Sequence, residues 1–175
     1  MAVNPTTHYP PTSFAGQLGA SPHVTAFPPM PTILDAAARQ QLLDRLDRLA
    51  PTATPRWGRM TAPQMVSHLI ESYRFGAGEL TLPLWFVPFR PIVRWFALYV
   101  IPFPKDAPAA PQLLARIPDR WEGDVAALRE RIARFTPPPP HVPRPPHPIF
   151  GVMRDADLGV LAYKHTDHHF RQFGV

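Results

Sequence analysis

Hydrophobic residues recur at steps of three and four in four stretches of the chain, and polar residues fill the positions between them. The recurring positions are Leu34, Ala38, Leu42, Leu46 and Leu49 in the first stretch, Met65, Leu69 and Tyr73 in the second, Trp121, Val125, Leu128, Ile132 and Phe135 in the third, and Leu158, Leu161 and Ala162 in the last. Such steps return a side chain to the same face of an α-helix. The pattern predicts an all-α protein, a bundle of amphipathic helices that pack through these faces.

Local signals indicate where the first two helices begin and end. Thr32 with Asp35 three residues later resembles a capping box, so the first helix is predicted to begin at Thr32 and to stop near Ala50, before a proline. Thr61 with Gln64 fits the capping box more closely, and a proline lies between them in the first turn. The second helix is therefore predicted to begin just after Thr61.

The later helices have weaker boundary signals. Asp119 is a suitable N-cap for the third long helix, since its side chain can accept a backbone N–H. The last helix is predicted over Arg154–Phe173, with Asp155 and Asp157 placed to interact with the positive end of its dipole.

Prolines divide the chain into helical and non-helical parts. There are 26 among 175 residues, which is about three times the usual share. Residues 1–31 hold seven of them and no charged side chain, so they are predicted to be a disordered leader before a single domain at 32–175. Residues 137–148 are predicted to form a stiff polyproline II crossover between helices, with recognition by a proline-binding module as the alternative.

Residues 80–104 form the most apolar part of the chain. Arg90, Arg94 and five prolines interrupt this segment, and its longest uncharged run, Trp95 to Pro104, is too short to cross a membrane. The segment is predicted to contain a short buried helix around 91–100 that packs over the bundle. The alternative is an apolar surface for a partner or for the face of a membrane.

The overall charge and the absence of cysteine narrow the range of functions. The net charge is +5, but the arginines are scattered singly, so no nucleic-acid partner is expected. Without cysteine, any transition metal must be held by His, Asp or Glu. The N-terminus lacks the charged and apolar regions of a signal peptide, which makes a cytoplasmic location the expectation.

Histidines cluster near the end of the chain. His165 and His169 are four residues apart, so on a helix both imidazoles project from one face and one divalent metal can bridge them. The pair is not the zinc-protease motif, because Thr166 stands where that motif has its glutamate. His68, on the apolar stripe of the second helix, is either a core histidine or the best further ligand. Three neutral imidazoles with an open position suit Zn²⁺, Ni²⁺ or Fe²⁺.

Several sequence words resemble one known group of proteins. These words are Trp57-Gly58-Arg59-Met60, Gln64-Met65-Val66-Ser67-His68, Pro102-Phe103-Pro104-Lys105, His147-Pro148-Ile149-Phe150-Gly151 and residues 165–172. Together they resemble the DinB/YfiT-like metalloenzyme superfamily, in a branch catalogued as a domain of unknown function. The resemblance implies a four-helix bundle with a short extra apolar helix. It also implies that His68, His165 and His169 bind a divalent metal.

Neighbouring residues are candidates to support the ligands or to contact substrate. By the resemblance, His168 matches a histidine that stands before the last ligand without being one. His168, Tyr73 and Gln172, which lies three residues after His169, are these candidates. Many relatives have Arg-Gly-Gln after the histidine pair, where this chain has Phe170-Arg171-Gln172. No catalytic residue is assigned, since the nearby acids Glu71 and Asp167 are poorly placed to act as a base.

Two classes of function remain open at this stage. The first is a metal-dependent transferase or hydrolase that acts on an unidentified small-molecule substrate, with a homodimer as the candidate assembly. The resemblance adds a low-molecular-weight thiol as the candidate cofactor. The second is a non-catalytic bundle, with a structural metal or none, that acts through the apolar segment 80–104.

Overall fold

The computed structural model describes residues 30–105, 109–139 and 144–175, together with Met1 and Ala107. Its α-helices are α1 (Ala36–Leu46), α2 (Ala62–Gly76), α3 (Arg90–Trp95), α4 (Trp121–Ala133) and α5 (Asp155–Gln172). A π-helical turn, Phe96–Val100, continues α3, and a 3₁₀ turn, Pro111–Leu114, precedes α4. The described residues contain no β-strand, only one isolated bridge between His147 and Gly151, which confirms the all-α class. The predicted leader, apart from its ends, and positions 140–143 of the predicted proline crossover lie outside the described residues.

The long helices share one hydrophobic core. Helices α1 and α2 each contact both α4 and α5. The core residues are Ile33, Leu42, Leu46, Leu49, Ala62, Met65, Val66, Leu69, Ile70, Tyr73, Leu128, Ile132, Phe135, Phe170 and Phe173. Most of the predicted apolar stripe positions are among them or pack against them. Leu34 departs from its stripe and is 39 % exposed, because Ile33 takes the buried position beside it.

The first helix begins later than predicted, whereas the start of the second is confirmed. The Thr61 hydroxyl accepts the Gln64 N–H at 3.3 Å, and the Gln64 side chain accepts the Thr61 N–H at 2.9 Å, so the capping box is complete. Thr32 does not begin α1, because the carboxylate of Asp35 caps it instead by accepting the N–H of Ala38 at 2.8 Å. Helix α1 ends at Leu46, before the predicted end.

The predicted N-cap of the third long helix is also wrong. Helix α4 begins at Trp121, and no side chain caps it. Asp119 donates its backbone N–H to the Asp124 carboxylate at 2.9 Å, so it serves as a donor and not as a cap. Asp124 is 3 % exposed and is held in place by an ion pair with Arg116.

The segment before α1 lies directly against α5 at Gly159. The Ile33 N–H donates to the Gly159 carbonyl at 3.2 Å. A β-carbon at position 159 would lie 2.5 Å from the Thr32 hydroxyl and 2.7 Å from Leu34 Cγ, closer than real contacts allow. Only glycine permits this close approach of the two backbones.

The apolar segment 80–104 is helical near its predicted position, but the prediction that it is buried is wrong. Helix α3 has no buried residue, and the π-helical turn buries only Leu98. Lys164 on α5 holds the turn by donating to the carbonyls of Ala97, at 2.6 Å, and of Leu98, at 3.2 Å. Backbone contacts of this kind fix the turn while Phe96 and Val100 stay exposed. No helix in the described residues is long and apolar enough to span a membrane.

Candidate metal centre

Three histidine side chains converge between α2 and α5. His68 lies in the middle of α2, and His165 and His169 lie one turn apart on α5. The Nε2 atom of His165 is 3.3 Å from Nε2 of His68 and 3.1 Å from Nε2 of His169. Within the described residues this is the one group of three or more His, Asp or Glu placed to hold a metal ion. The predicted ligand residues are thus brought together.

Burial differs among the three histidines of the cluster. His68 is 3 % exposed and His169 is 7 % exposed, whereas His165 is only half-buried. Of the three residues, His165 is therefore the one nearest to solvent.

The tautomer of His68 follows from its other ring nitrogen. Its Nδ1 lies 3.2 Å from the carbonyl oxygen of Leu113 in the 3₁₀ turn. A carbonyl can only accept a hydrogen bond, so Nδ1 carries the proton. The Nε2 atom of neutral His68 consequently presents a lone pair to the cluster.

Gln172 fixes the tautomer of His169 by the same reasoning. The Gln172 amide Nε2 donates to the Trp57 carbonyl at 2.7 Å, and this leaves its Oε1 facing His169 Nδ1 at 2.9 Å. Because Oε1 only accepts, Nδ1 of His169 carries the proton, and its Nε2 also presents a lone pair. A hydrogen bond from the second ring nitrogen is the usual support of a metal-binding histidine.

The electrostatic environment keeps all three imidazoles neutral at pH 7. Burial lowers the pKa of His68, although its bond to Leu113 opposes this. Burial, together with the repulsion that a protonated His68 would exert, lowers the pKa of His169 to about 3. Burial, followed by the neighbouring imidazoles, lowers the pKa of His165 well below its ordinary value. Neutral imidazole is the form that binds a metal.

A count of protons shows that hydrogen bonds alone do not satisfy the cluster. The lone pairs of His68 and His169 both face Nε2 of His165, which in the neutral ring carries one proton at most. One proton cannot make two well-aligned hydrogen bonds, and burial makes an unsatisfied acceptor costly. A cation between the three nitrogens would satisfy all of the lone pairs at once.

The nitrogen separations also suit a tetrahedral metal. Ligand nitrogens at 2.0–2.1 Å from Zn²⁺ lie about 3.3 Å apart in a tetrahedron. Two of the three Nε2 separations, 3.3 and 3.1 Å, agree with this value, and all three atoms lie within 4.8 Å of one another. Three protein nitrogens occupy three corners and leave the fourth corner for another ligand, so the residues present fit a divalent metal.

A polar network holds the turn that orients His68. Arg116, three residues after Leu113, pairs with the buried carboxylate of Asp124 and donates to the Ser67 hydroxyl at 3.1 Å. The Ser67 hydroxyl in turn donates to the Arg116 carbonyl at 3.0 Å. Because Ser67 adjoins His68 on α2, this exchange positions the Leu113 carbonyl against the imidazole.

Aromatic rings surround the exposed side of the cluster. The Phe103 ring lies 6.2 Å from the His165 ring and 6.1 Å from the His168 ring, and Trp57 meets His168 edge-on at 5.6 Å. The ammonium group of Lys105 lies 4.8 Å from the centre of the Trp57 ring. His168 itself is in contact with His169 but contributes no atom to the nitrogen cluster. The ammonium group of Lys164 lies 5.3 Å from the centre of the Phe103 ring, so a ligand that passes these rings would meet apolar walls and two ammonium groups.

The other candidate residues, Tyr73, Glu71 and Asp167, form their contacts outside the nitrogen cluster. The Tyr73 hydroxyl lies 2.9 Å from the Thr166 hydroxyl, and burial raises its pKa. Glu71 binds Arg74 at 3.1 Å, and Asp167 binds Arg45 at 2.6 Å. These carboxylates are held in ion pairs, so neither faces the nitrogen cluster as a base.

Two supporting groups were missed by the sequence analysis, namely the carbonyls of Leu113 and Trp57. Backbone carbonyls exist at every residue, and nothing in a side-chain pattern distinguishes the two that lie beside an imidazole. Gln172, by contrast, was found from its position three residues after His169.

The chain was compared with family models, with curated proteins and with solved structures, and none of them matches it.

Replacing Gln172 with alanine is expected to weaken metal binding by about 10- to 100-fold, because His169 loses the group that fixes its tautomer and ring orientation. Competition with a chelator would measure the affinity. Gln40→Ala is the matched control, since Gln40 lies on the exposed face of α1 and bonds only Asp44. An unchanged affinity in Gln172→Ala would show that Gln172 does not support His169.

Proposed function

We propose that this protein is a divalent-metal-binding, four-helix-bundle protein of the DinB/YfiT-like kind and acts as a metal-dependent transferase or hydrolase. His68, His165 and His169 are the ligands. The four helices of the bundle are α1, α2, α4 and α5. Of the metals that suit three imidazoles, Zn²⁺, Ni²⁺ and Fe²⁺ are the candidates.

The observation that carries the proposal is the convergence of three neutral imidazoles with too few protons to bond one another. The tautomers of His68 and His169 are set by groups that can only accept, and their lone pairs meet at His165. A purely structural histidine cluster would be expected to pair a donor with each acceptor. The arrangement is instead that of three ligands placed to surround one cation.

The partial exposure of His165 favours a catalytic metal over a purely structural one. Structural zinc sites are closed by four protein ligands, whereas catalytic sites keep an open position. A bound divalent metal would lower the pKa of a water or thiol at that position and so supply a nucleophile at neutral pH. The protein's own contribution is to hold three nitrogens, to line the approach with Trp57 and Phe103, and to place the Lys105 charge nearby.

The thiol-dependent reaction is the more specific form of the proposal. An anionic low-molecular-weight thiol would find a cation at Lys105 and an open corner of the metal. The cytoplasmic location and the homodimer remain predictions.

Metal content tests the proposal directly. We expect protein purified without an affinity tag, then stripped and titrated with Zn²⁺ or Co²⁺, to bind one equivalent. The Co²⁺ form should show the intense visible absorption of four-coordinate cobalt. Adding cysteine or glutathione should then produce a sulfur-to-cobalt charge-transfer band, because the open corner accepts a thiol.

Different results would refute different parts of the proposal. Failure to take up either metal would refute the metal site itself. One equivalent of metal whose cobalt spectrum does not respond to any thiol would refute the thiol-dependent reaction but leave the metal site standing.

A further inference from the structure

Residues 84–101 form an exposed apolar surface that contributes no atom to the nitrogen cluster. It is formed by Leu84, Trp85, Phe86, Phe89, Ile92, Trp95, Phe96, Val100 and Ile101, each at least 37 % exposed. Phe86 is 95 % exposed and Phe89 is 77 % exposed. A contiguous stretch of large apolar side chains left in water marks an interaction surface.

Hydrogen bonds from polar groups attach residues 84–101 to the rest of the protein, and the apolar side chains of this surface remain exposed. Arg90 donates to the carbonyls of Trp85 and, at 3.1 Å, of Pro148. The Tyr99 hydroxyl donates to the buried Asp157 carboxylate on α5 at 2.6 Å. The exposed aromatic rings therefore lie on a segment that is fixed to the rest of the protein.

Phe89 stands out because its backbone is left-handed. Its φ is +52° and its ψ is +38°, and it is the one non-glycine residue with positive φ among those described. This conformation is unfavourable for a bulky residue by about 1 kcal/mol or more. The fold thus holds an exposed aromatic residue in a strained turn immediately before α3.

The charge of the segment is of one sign. Between Leu80 and Lys105 the chain has three basic residues, Arg90, Arg94 and Lys105, and no acidic one. No carboxylate of the described residues lies within ion-pair distance of Arg90. The carboxylate nearest to Arg94 is Asp157 at 3.6 Å, and it is only 1 % exposed. An approaching partner consequently meets apolar side chains beside the charge of Arg90, which bonds only carbonyls, whereas Arg94 is 20 % exposed and adds less.

We propose that the surface at 84–101 docks onto a membrane that contains anionic phospholipid, with Phe86 and Phe89 inserted among the acyl chains. Trp and Phe on one side with Arg and Lys beside them is the composition of segments that lie in the membrane interface. The net charge of +5 acts in the same direction. Each basic residue near an anionic surface contributes about fivefold to partitioning.

The same charge argues against a second copy of this chain as the partner. Two copies paired through this surface would bring the same arginines toward one another without an exposed carboxylate of the segment between them. Anionic lipid headgroups instead supply the complementary charge. The inference is independent of the metal site and of any reaction there.

Vesicle sedimentation with the full chain tests the proposal. We expect the protein to bind vesicles of phosphatidylcholine mixed with phosphatidylglycerol, to bind vesicles of phosphatidylcholine alone much less, and to be released as salt is raised. The double variant Phe86→Ser/Phe89→Gly should bind at least about tenfold more weakly, because it lacks two inserted rings. Glycine accepts the left-handed conformation at position 89, so the variant should fold.

Ile117→Ser is the matched control, since Ile117 is 85 % exposed but lies outside the segment. It should bind anionic vesicles as the unaltered protein does, with a similar melting temperature. The proposal would be overturned by equal binding to both kinds of vesicle, by no binding to either, or by full binding of the double variant. Light scattering that shows a dimer converted to a monomer by the double variant would identify the surface as a contact between copies.

Discussion

Replacing His169 with alanine should abolish stoichiometric metal binding while leaving the helices folded. His169 supplies one of three nitrogens, and the remaining pair of His68 and His165 cannot form a tetrahedral set on its own. Elemental analysis would measure the bound metal. The melting temperature should also stop responding to added Zn²⁺, whereas a metal at 100 times its dissociation constant stabilises the unaltered protein by about 2.7 kcal/mol.

His168→Ala is the control for this experiment because His168 adjoins His169 but contributes no ligand atom. It should keep one equivalent of metal and the response of its melting temperature to Zn²⁺. His68→Ala should behave as His169→Ala does. If His169→Ala retained full metal while His168→Ala lost it, the ligand assignment on α5 would be wrong.

Acid should destabilise the metal-free protein between pH 6.5 and pH 4, and His147 should account for a separable part of the loss. Burial, assisted by the nearby charge of Arg90, lowers the pKa of His147 to about 4. Its Nδ1 accepts the N–H groups of Ile149 and Phe150, both at 3.2 Å, and its ring stacks on the Phe150 ring at 4.5 Å. Protonation of Nδ1 would destroy both hydrogen bonds.

The direction of the effect follows from where the protons bind. Between pH 6.5 and pH 4 the unfolded chain binds a proton at position 147 that the folded chain does not, so the free energy of unfolding falls as the pH falls. The contribution of His147 between pH 7 and pH 5 is about 2 kcal/mol. His169, with its pKa of about 3, adds a loss of similar size that continues to lower pH.

Urea unfolding of the chelator-treated protein at pH 7 and pH 5 would measure this difference. In His147→Asn the side-chain oxygen replaces Nδ1 as the acceptor and does not titrate, so the difference should shrink by about 2 kcal/mol. An undiminished difference in the variant would mean that position 147 does not titrate as described. Added Zn²⁺ should steepen the pH dependence of the unaltered protein, since protons and metal compete for the same nitrogens.

Much of the helical structure is determined by local sequence. The capping box of Thr61 and Gln64 was predicted and is complete, because a cap requires only residues three apart in the chain. The pairing of His165 with His169 was predicted for the same reason, since helical geometry alone places them together. Thr32 and Asp35 were predicted to form one capping box that starts at Thr32, and this prediction was wrong, because Asp35 itself caps α1.

The tertiary structure decides the placement of His68 in the cluster and of the two backbone carbonyls that support the imidazoles. On the evidence of its own helix His68 was better explained as a core histidine, and only the resemblance selected it as a ligand. The packing of α2 against α5 places its Nε2 3.3 Å from that of His165. The carbonyls of Leu113 and Trp57 decide which nitrogens carry protons, and backbone groups leave no trace in a sequence of side chains.

For the apolar segment 80–104, too, the sequence determines the composition and the tertiary structure determines the burial. Composition alone established that residues 80–104 are apolar, basic and too interrupted to span a membrane. Whether they are buried depended on long-range anchors, namely Lys164 and Asp157 on α5, which bind the backbone and the tyrosine of the turn and leave its other rings outside. Sequence determines which faces are apolar, but only tertiary packing decides which of those faces are buried against another part of the chain.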